Sequence, residues 1–190
     1  MKLILASQSP RRKALMELFR IPFSVTVADI DETMDPAKAP YDEVARVSLA
    51  KALAIPRDSD DVVVAADTIV VCGDRVLGKP ADADDARQML RLLSGKSHQV
   101  MTGLSVVRGE QKFVCTEVAD IRFRPLSDKE IDNYIATGEP MDKAGAYGIQ
   151  GGAALFVSGI SGDYYNIMGL PVCRLGEILR QIAPEIMEDL

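Results

Sequence analysis

The sequence predicts an α/β protein: a mixed, twisted sheet flanked by helices. Two observations carry that prediction. Apolar runs of strand length alternate with stretches of helical period along most of the chain. Midway, two long runs meet at Arg108-Gly109-Glu110-Gln111 as a hairpin, which forces antiparallel pairing into a sheet that βα alternation alone would make parallel. With 190 residues, 47% of them hydrophobic, the chain can bury one domain, or two small lobes around a cleft.

The elements follow in order. Lys2–Leu5 reads as a short buried strand over 2–6. Ser9 is a good N-cap and Pro10 suits the first helical position, so a helix runs over 10–19. A short strand lies near Ser24–Val27, followed by a polar, proline-bearing loop, Asp29–Pro40. Asp42 caps a helix to Leu53, with Val44, Val47, Ala50 and Leu53 at helical spacing. Val62–Asp67 is a continuous apolar run ending in an acid, as in a strand buried on both faces. Asp82 opens a helix that stops at Ser94-Gly95. The hairpin strands are Gln99–Arg108 and Lys112–Phe123. Ser127–Glu130 matches a capping box for a helix over 128–137, which Gly138 ends. Ala153–Ile160 reads as a strand and Leu170–Ile182 as a closing helix.

Bulk charge excludes some partners. Twenty-two Lys and Arg against 28 Asp and Glu leave a net charge of −6, the wrong sign for a general binder of nucleic acid or membrane surfaces. An anionic ligand must then be met by a local basic cluster. Three widely spaced cysteines, Cys72, Cys115 and Cys173, form no C-x-x-C and suggest no disulfide framework, which points to a reducing, cytoplasmic location. No signal-peptide pattern or membrane-length apolar run occurs.

The chemistry concentrates in a few places. Arg11, Arg12 and Lys13 fall in the first turn of a helix, where the macrodipole disfavours cations. An anion held among amides, hydroxyls and guanidinium groups explains them; a solvated basic turn fits the same residues equally well. Asp67 ends the strongest buried strand, where α/β proteins meet their ligands, and Asp31 and Glu32 lie in the loop after the second strand. Together these acids would supply hard oxygen ligands for an ion of magnesium type. Lys79, in Gly78-Lys79-Pro80, and Lys51, on a largely apolar helix, could neutralise phosphate charge, although solvated lysines are commoner. The single histidine, His98, has no G-x-S-x-G partner and reads as structural, and no Walker loop occurs. The stretch 139–152 holds four glycines and forms no regular amphipathic element, so it reads as a binding loop or a plain connection; its Gln150 offers both donor and acceptor to a nucleobase edge.

Read together, Ser7-x-Ser9-Pro10-Arg11-Arg12, Ala66-Asp67-Thr68, Gly78-Lys79-Pro80, Ser94-Gly95-x-x-His98-x-Val100-x-Thr102, Glu139-Pro140-Met141-Asp142-Lys143-Ala144-Gly145-Ala146-Tyr147-Gly148-Ile149-Gln150-Gly151 and Gly169-Leu170-Pro171 resemble the Maf family. These are nucleoside triphosphate pyrophosphatases, first known as septum-formation inhibitors. Any one motif is weak, but six in order, from Leu3 to about Leu179, are specific.

The resemblance implies one domain over residues 1–190, with a fold similar to the inosine-triphosphate pyrophosphatases and a cleft between two lobes. It implies hydrolysis of a nucleoside triphosphate to monophosphate and pyrophosphate with Mg²⁺, or Mn²⁺ in its place, and a homodimer. Asp67 takes the place of the family's general base. Arg11, Thr68 and Gln150 match positions associated with substrate choice, and Arg, Thr and Gln there resemble the subgroup acting on dTTP and UTP rather than on 7-methyl-GTP. The expected mechanism is attack by water at the α-phosphorus, with Glu32 and Asp67 holding the metal. Arg11, Arg12, Lys51 and Lys79 meet the triphosphate, and Ser7 adds a hydrogen bond. A nucleotide-binding regulator of cell division, or a purely structural protein, are the rival classes; the first needs no acid at Asp67, and the second no cations at a helix N-terminus.

Overall fold

The computed structural model describes residues 1–187. Seven strands form one mixed sheet: β1 (Leu3–Leu5), β2 (Ser24–Val25), β3 (Val62–Cys72), β4 (Arg75–Leu77), β5 (Ser97–Arg108), β6 (Gln111–Phe123) and β7 (Val157–Ser161). Their order is β2-β1-β3-β5-β6-β7, with β4 also paired to β3. β1 is parallel to both β2 and β3, whereas β3–β4 and β6–β7 are antiparallel. The helices are α1 (Pro10–Glu17), α2 (Pro40–Leu53), α3 (Ala83–Leu93), α4 (Asp128–Ala136), α5 (Tyr164–Met168) and α6 (Val172–Ile182). The expected mixed α/β architecture is therefore present.

The chain divides into two compact units. Among the described residues, one comprises Met1–Asp67, Thr102–Glu117 and the residues from Gly169 onward; the other comprises Thr68–Met101 and Val118–Met168. Strands β3, β5 and β6 each pass from one unit into the other.

In the first unit, period-two alternation puts Ile4 and Ala6 of the β1 segment on the same face as Val63 and Ala65 of β3, where they meet Ala52, Ile55 and Val107. Each large side chain buried here adds roughly 1.5–3 kcal/mol against the entropy of folding. Helix α2 comes close to β5 because Gly103 lacks a side chain: a Cβ there would collide with the backbone of Val44 and Ala45. Ser48 and Ser105 close the same contact with a buried hydrogen bond of 2.7 Å.

In the second unit, α3 and α4 are linked by Arg87 to Asp132 at 2.8 Å and Arg91 to Asp128 at 2.9 Å. Phe123 packs edge-on against His98, Tyr147 and Phe156, and Tyr134 joins through Phe156.

Three local caps form as the residues dictate. Ser9 accepts from the Arg12 amide, Asp82 from the Asp85 amide, and Ser127 and Glu130 make the full capping box. Elsewhere the structure corrects the expectation. Helix α2 starts at Pro40 rather than Asp42, because Pro40 presets the helical φ and Asp42 then sits in the first turn. Strand β3 does not end at Asp67. It continues through Thr68, Ile69, Val70, Val71 and Cys72, where Gly73 (φ +58°) and Asp74 turn it back into β4 with Cys72 opposite Arg75. The strand expected over Ala153–Ile160 is a 3-10 turn at Gly152–Leu155 followed by β7. Gly-Ala-Ala offers none of the β-branched side chains that favour a pleated surface. The closing helix begins at Val172, because Pro171 sets its start and Gly169, at φ +106°, separates it from α5.

Candidate active site

The first unit holds six of the expected residues: Ser7, Arg11, Arg12, Glu32, Lys51 and Asp67. Asp67 sits midway along β3 and Lys51 in the last turn of α2, a position the helix dipole favours for a cation. The Lys51 ammonium lies 2.7 Å from Asp67 Oδ1 and 2.8 Å from Glu32 Oε2. Lys51 is 8% exposed. The Asp67 side chain is 13% exposed and that of Glu32 55%, so one ammonium joins a nearly buried carboxylate to a solvent-facing one. A charge this buried is tolerated because it is paired on both sides.

Arg12 is anchored beside them. Its Nε donates to the Gly169 carbonyl at 2.7 Å, and its Nη1 to Ser7 Oγ at 3.4 Å. Ser7 Oγ also accepts from the Ser9 amide at 3.2 Å. Burial lowers the Arg12 guanidinium from its ordinary value; the charges of Asp67 and Glu32 act the other way and Arg11 acts with burial. The motif Gly169-Leu170-Pro171 thereby acquires a reason: Gly169 takes a positive φ that favours glycine, and its carbonyl accepts from Arg12. Arg11 is half-buried one residue before it.

The second unit holds Thr68, Lys79 and Gln150. Thr68 is half-buried and follows Asp67 directly in β3, so its side chain takes the opposite face of the strand. Lys79 is exposed after Gly78, whose carbonyl accepts from the Gly145 amide at 3.0 Å. Gly145, at φ +68°, leaves no space for a Cβ against Val70, which fixes the glycine-rich segment on β3.

Gln150 is exposed at the end of that segment. Its surroundings are organised by Glu139, which accepts from Tyr134 Oη at 2.8 Å and from the Gly152 amide at 3.0 Å, while Tyr134 Oη accepts from the Gly148 amide at 3.0 Å. A Cβ at Gly151 would strike the Glu139 carboxylate. This anchoring role escapes sequence reading, since nothing local to Glu139 distinguishes it from a solvated acid. His98 is buried, with Nε2 2.8 Å from Tyr147 Oη.

The donor set suits a hard divalent ion shared with phosphate. Asp67 and Glu32 supply two carboxylates, and among the described residues no cluster of three or more His, Cys, Asp or Glu could hold a metal alone. Magnesium is characteristically bound by one or two carboxylates together with substrate phosphates and water. Among the described residues no helix is long and apolar enough to cross a membrane.

Comparison with known proteins places the chain in a family. A family model described as Maf-like protein matches residues 2–182. A Symbiobacterium thermophilum protein named dTTP/UTP pyrophosphatase is 52% identical over 183 residues, covering 96% of this chain and 94% of its own. One of the same name from Bacillus cereus (strain B4264) is 47% identical over 186 residues, covering 97% of each. Among solved structures, a HAM1 protein from Coxiella burnetii shares the fold at a TM-score of 0.51 and 15% identity, over 95% of this chain and 99% of that one. With a family match over nearly its whole length and relatives about half identical from end to end, this chain belongs to the Maf family.

Proposed function

We propose that this protein hydrolyses nucleoside triphosphates to the monophosphate and pyrophosphate, with dTTP and UTP as preferred substrates. The observation that carries this reading is the Lys51 ammonium bridging Asp67 and Glu32 beside the anchored Arg12. Carboxylates, an ammonium and a guanidinium together in one unit are the groups this reaction requires. The names of the close relatives support the substrate class.

Water attacks the α-phosphorus, and Asp67 accepts its proton as the new P–O bond forms. The bond between the α-phosphorus and the bridging oxygen to the β-phosphorus breaks, and pyrophosphate leaves with the bonding electrons. Arg12 meets the charge that builds on the phosphate oxygens, and Lys51 is close enough to Asp67 and Glu32 to keep both ionised side chains in one place. Arg11 and Lys79 add positive charge toward the triphosphate, and Ser7 orients Arg12. When bound, Mg²⁺ would be held by Asp67 and Glu32 and would neutralise phosphate charge. Thr68 and Gln150 select the base; the Gln150 amide offers the donor and acceptor that a pyrimidine O4 and N3–H require.

The test is pyrophosphate release from canonical triphosphates and 7-methyl-GTP with Mg²⁺. Wild-type protein should favour dTTP and UTP, and Asp67→Asn should lose activity by roughly 10²–10⁴-fold. Near-normal turnover by that variant would remove Asp67 from the role of base. Equal, slow release from every nucleotide would leave only the general reaction class.

A further inference from the structure

The segment that carries Glu32 has little apolar surface to hold it. Residues 31–33 and 35–39 are all exposed. A mobile loop would smear Glu32 over several ångströms, yet a group in a reacting site needs placement far finer than that. The structure supplies three polar anchors instead, all from α2. Lys51 binds Glu32 at 2.8 Å. The Arg46 Nη2 donates to the Thr33 carbonyl at 2.8 Å. The Asp35 amide donates to Glu43 Oε2 at 2.8 Å. The anchors run 43, 46, 51 along the helix and 35, 33, 32 along the loop, so the two segments are laced in opposite directions.

The two outer anchors also fix each other. Arg46 Nε lies 3.0 Å from both Glu43 carboxylate oxygens, and Nη2 lies 2.9 Å from Oε2. Glu43 is 2% exposed, so its charge depends on these donors for compensation. Arg46 can serve both Glu43 and Thr33 because its planar fork presents several donors at once; a lysine offers only a point charge.

We propose that Arg46 and Glu43 are positioning residues that pre-place Glu32 for the triphosphate and its metal. This rests on the role given to Glu32 under Proposed function. Arg46→Met and Glu43→Gln should each lower kcat about tenfold or more and raise the Mg²⁺ concentration needed for half-maximal rate, with a smaller effect on KM for UTP. Arg46→Lys should recover only part of the loss. Hydrogen exchange supplies a readout independent of turnover: the Asp35 amide should exchange faster in both variants, while amides of β1 and β3 keep wild-type protection.

Glu32→Gln separates the two ideas. Full activity in Glu32→Gln overturns the role of Glu32 and the inference with it. Impaired Glu32→Gln beside normal Arg46→Met and Glu43→Gln overturns the inference alone. So does loss of activity in the Arg46 and Glu43 variants with Asp35 exchange unchanged. Should Arg46→Met fail to fold, Glu43→Gln still decides, since it keeps the side-chain volume while removing the charge and turning one of the two acceptor oxygens into a donor.

Discussion

At the residue scale the decisive object is the Lys51 ammonium between two carboxylates. Its removal differs in kind from removal of either acid. Asp67→Asn leaves Lys51 paired with Glu32. Lys51→Met leaves Asp67 and Glu32 facing each other as like charges, one of them nearly buried. Lys51→Met should therefore lose more stability in urea denaturation than Asp67→Asn. Turnover should also fall by roughly 10²–10³, as when one charge-stabilising donor is removed from a site. A Lys51→Met protein as stable as wild type would show that the pair contributes no net stability.

At the element scale α2 is the strut of the first unit. It carries Lys51, Arg46 and Glu43, and its distance from β5 is set by Gly103. A methyl group at 103 has only backbone to meet, and backbone cannot swing aside as a flexible side chain can. Gly103→Ala should destabilise by about 1–3 kcal/mol, typical of overpacking, and should depress turnover although residue 103 bears no chemistry. Chemical denaturation beside a pyrophosphate-release assay checks both effects. Unchanged stability would mean that α2 shifts freely, and the lacing of the Glu32 loop would then have no fixed base.

At the scale of the whole molecule, charge state sets the response to acid. Burial depresses His98 from 6.5 to about 4, so between those values the unfolded chain binds a proton that the folded chain refuses. Its contribution is complete above pH 6.5 and is lost as pH falls towards 4, in total about 3 kcal/mol. Glu43 is held at about 2 by its hydrogen bonds from Arg46 and the Asp35 amide, and Glu130 at about 2 by those from Arg124 and Ser127. Their contributions persist above 4.5 and are lost as pH falls through 2. Stability should thus decline in two windows. Thermal unfolding measured from pH 8 to about pH 2 should show both, and His98→Gln should flatten only the upper one. An unchanged slope between pH 6.5 and 4 in that variant would assign the effect to other groups.

Much of the fold can be read from the chain because its signals are local. Ser9-Pro10, Asp82 and Ser127-x-x-Glu130 fix helix starts within four residues of themselves, and Gly109-Glu110 closes the long hairpin. The acids and cations of the site are also visible as residues, through motifs whose spacing is specific. The pairings among them are not visible. An acid after an apolar run reads as a strand end, yet the run Ile69-Val70-Val71 carries β3 past Asp67 to pair with β4. Lys51 meets an acid 16 residues away, and Arg12 a carbonyl 157 residues away. Charge and hydrogen-bond interactions act over a few ångströms, and only packing decides which distant residues come within that reach. The sequence by itself determined most of the element types, the caps at Ser9, Asp82 and Ser127, and the inventory of charged groups. The tertiary structure decided which cation meets which carboxylate, and which glycine gives α2 its place.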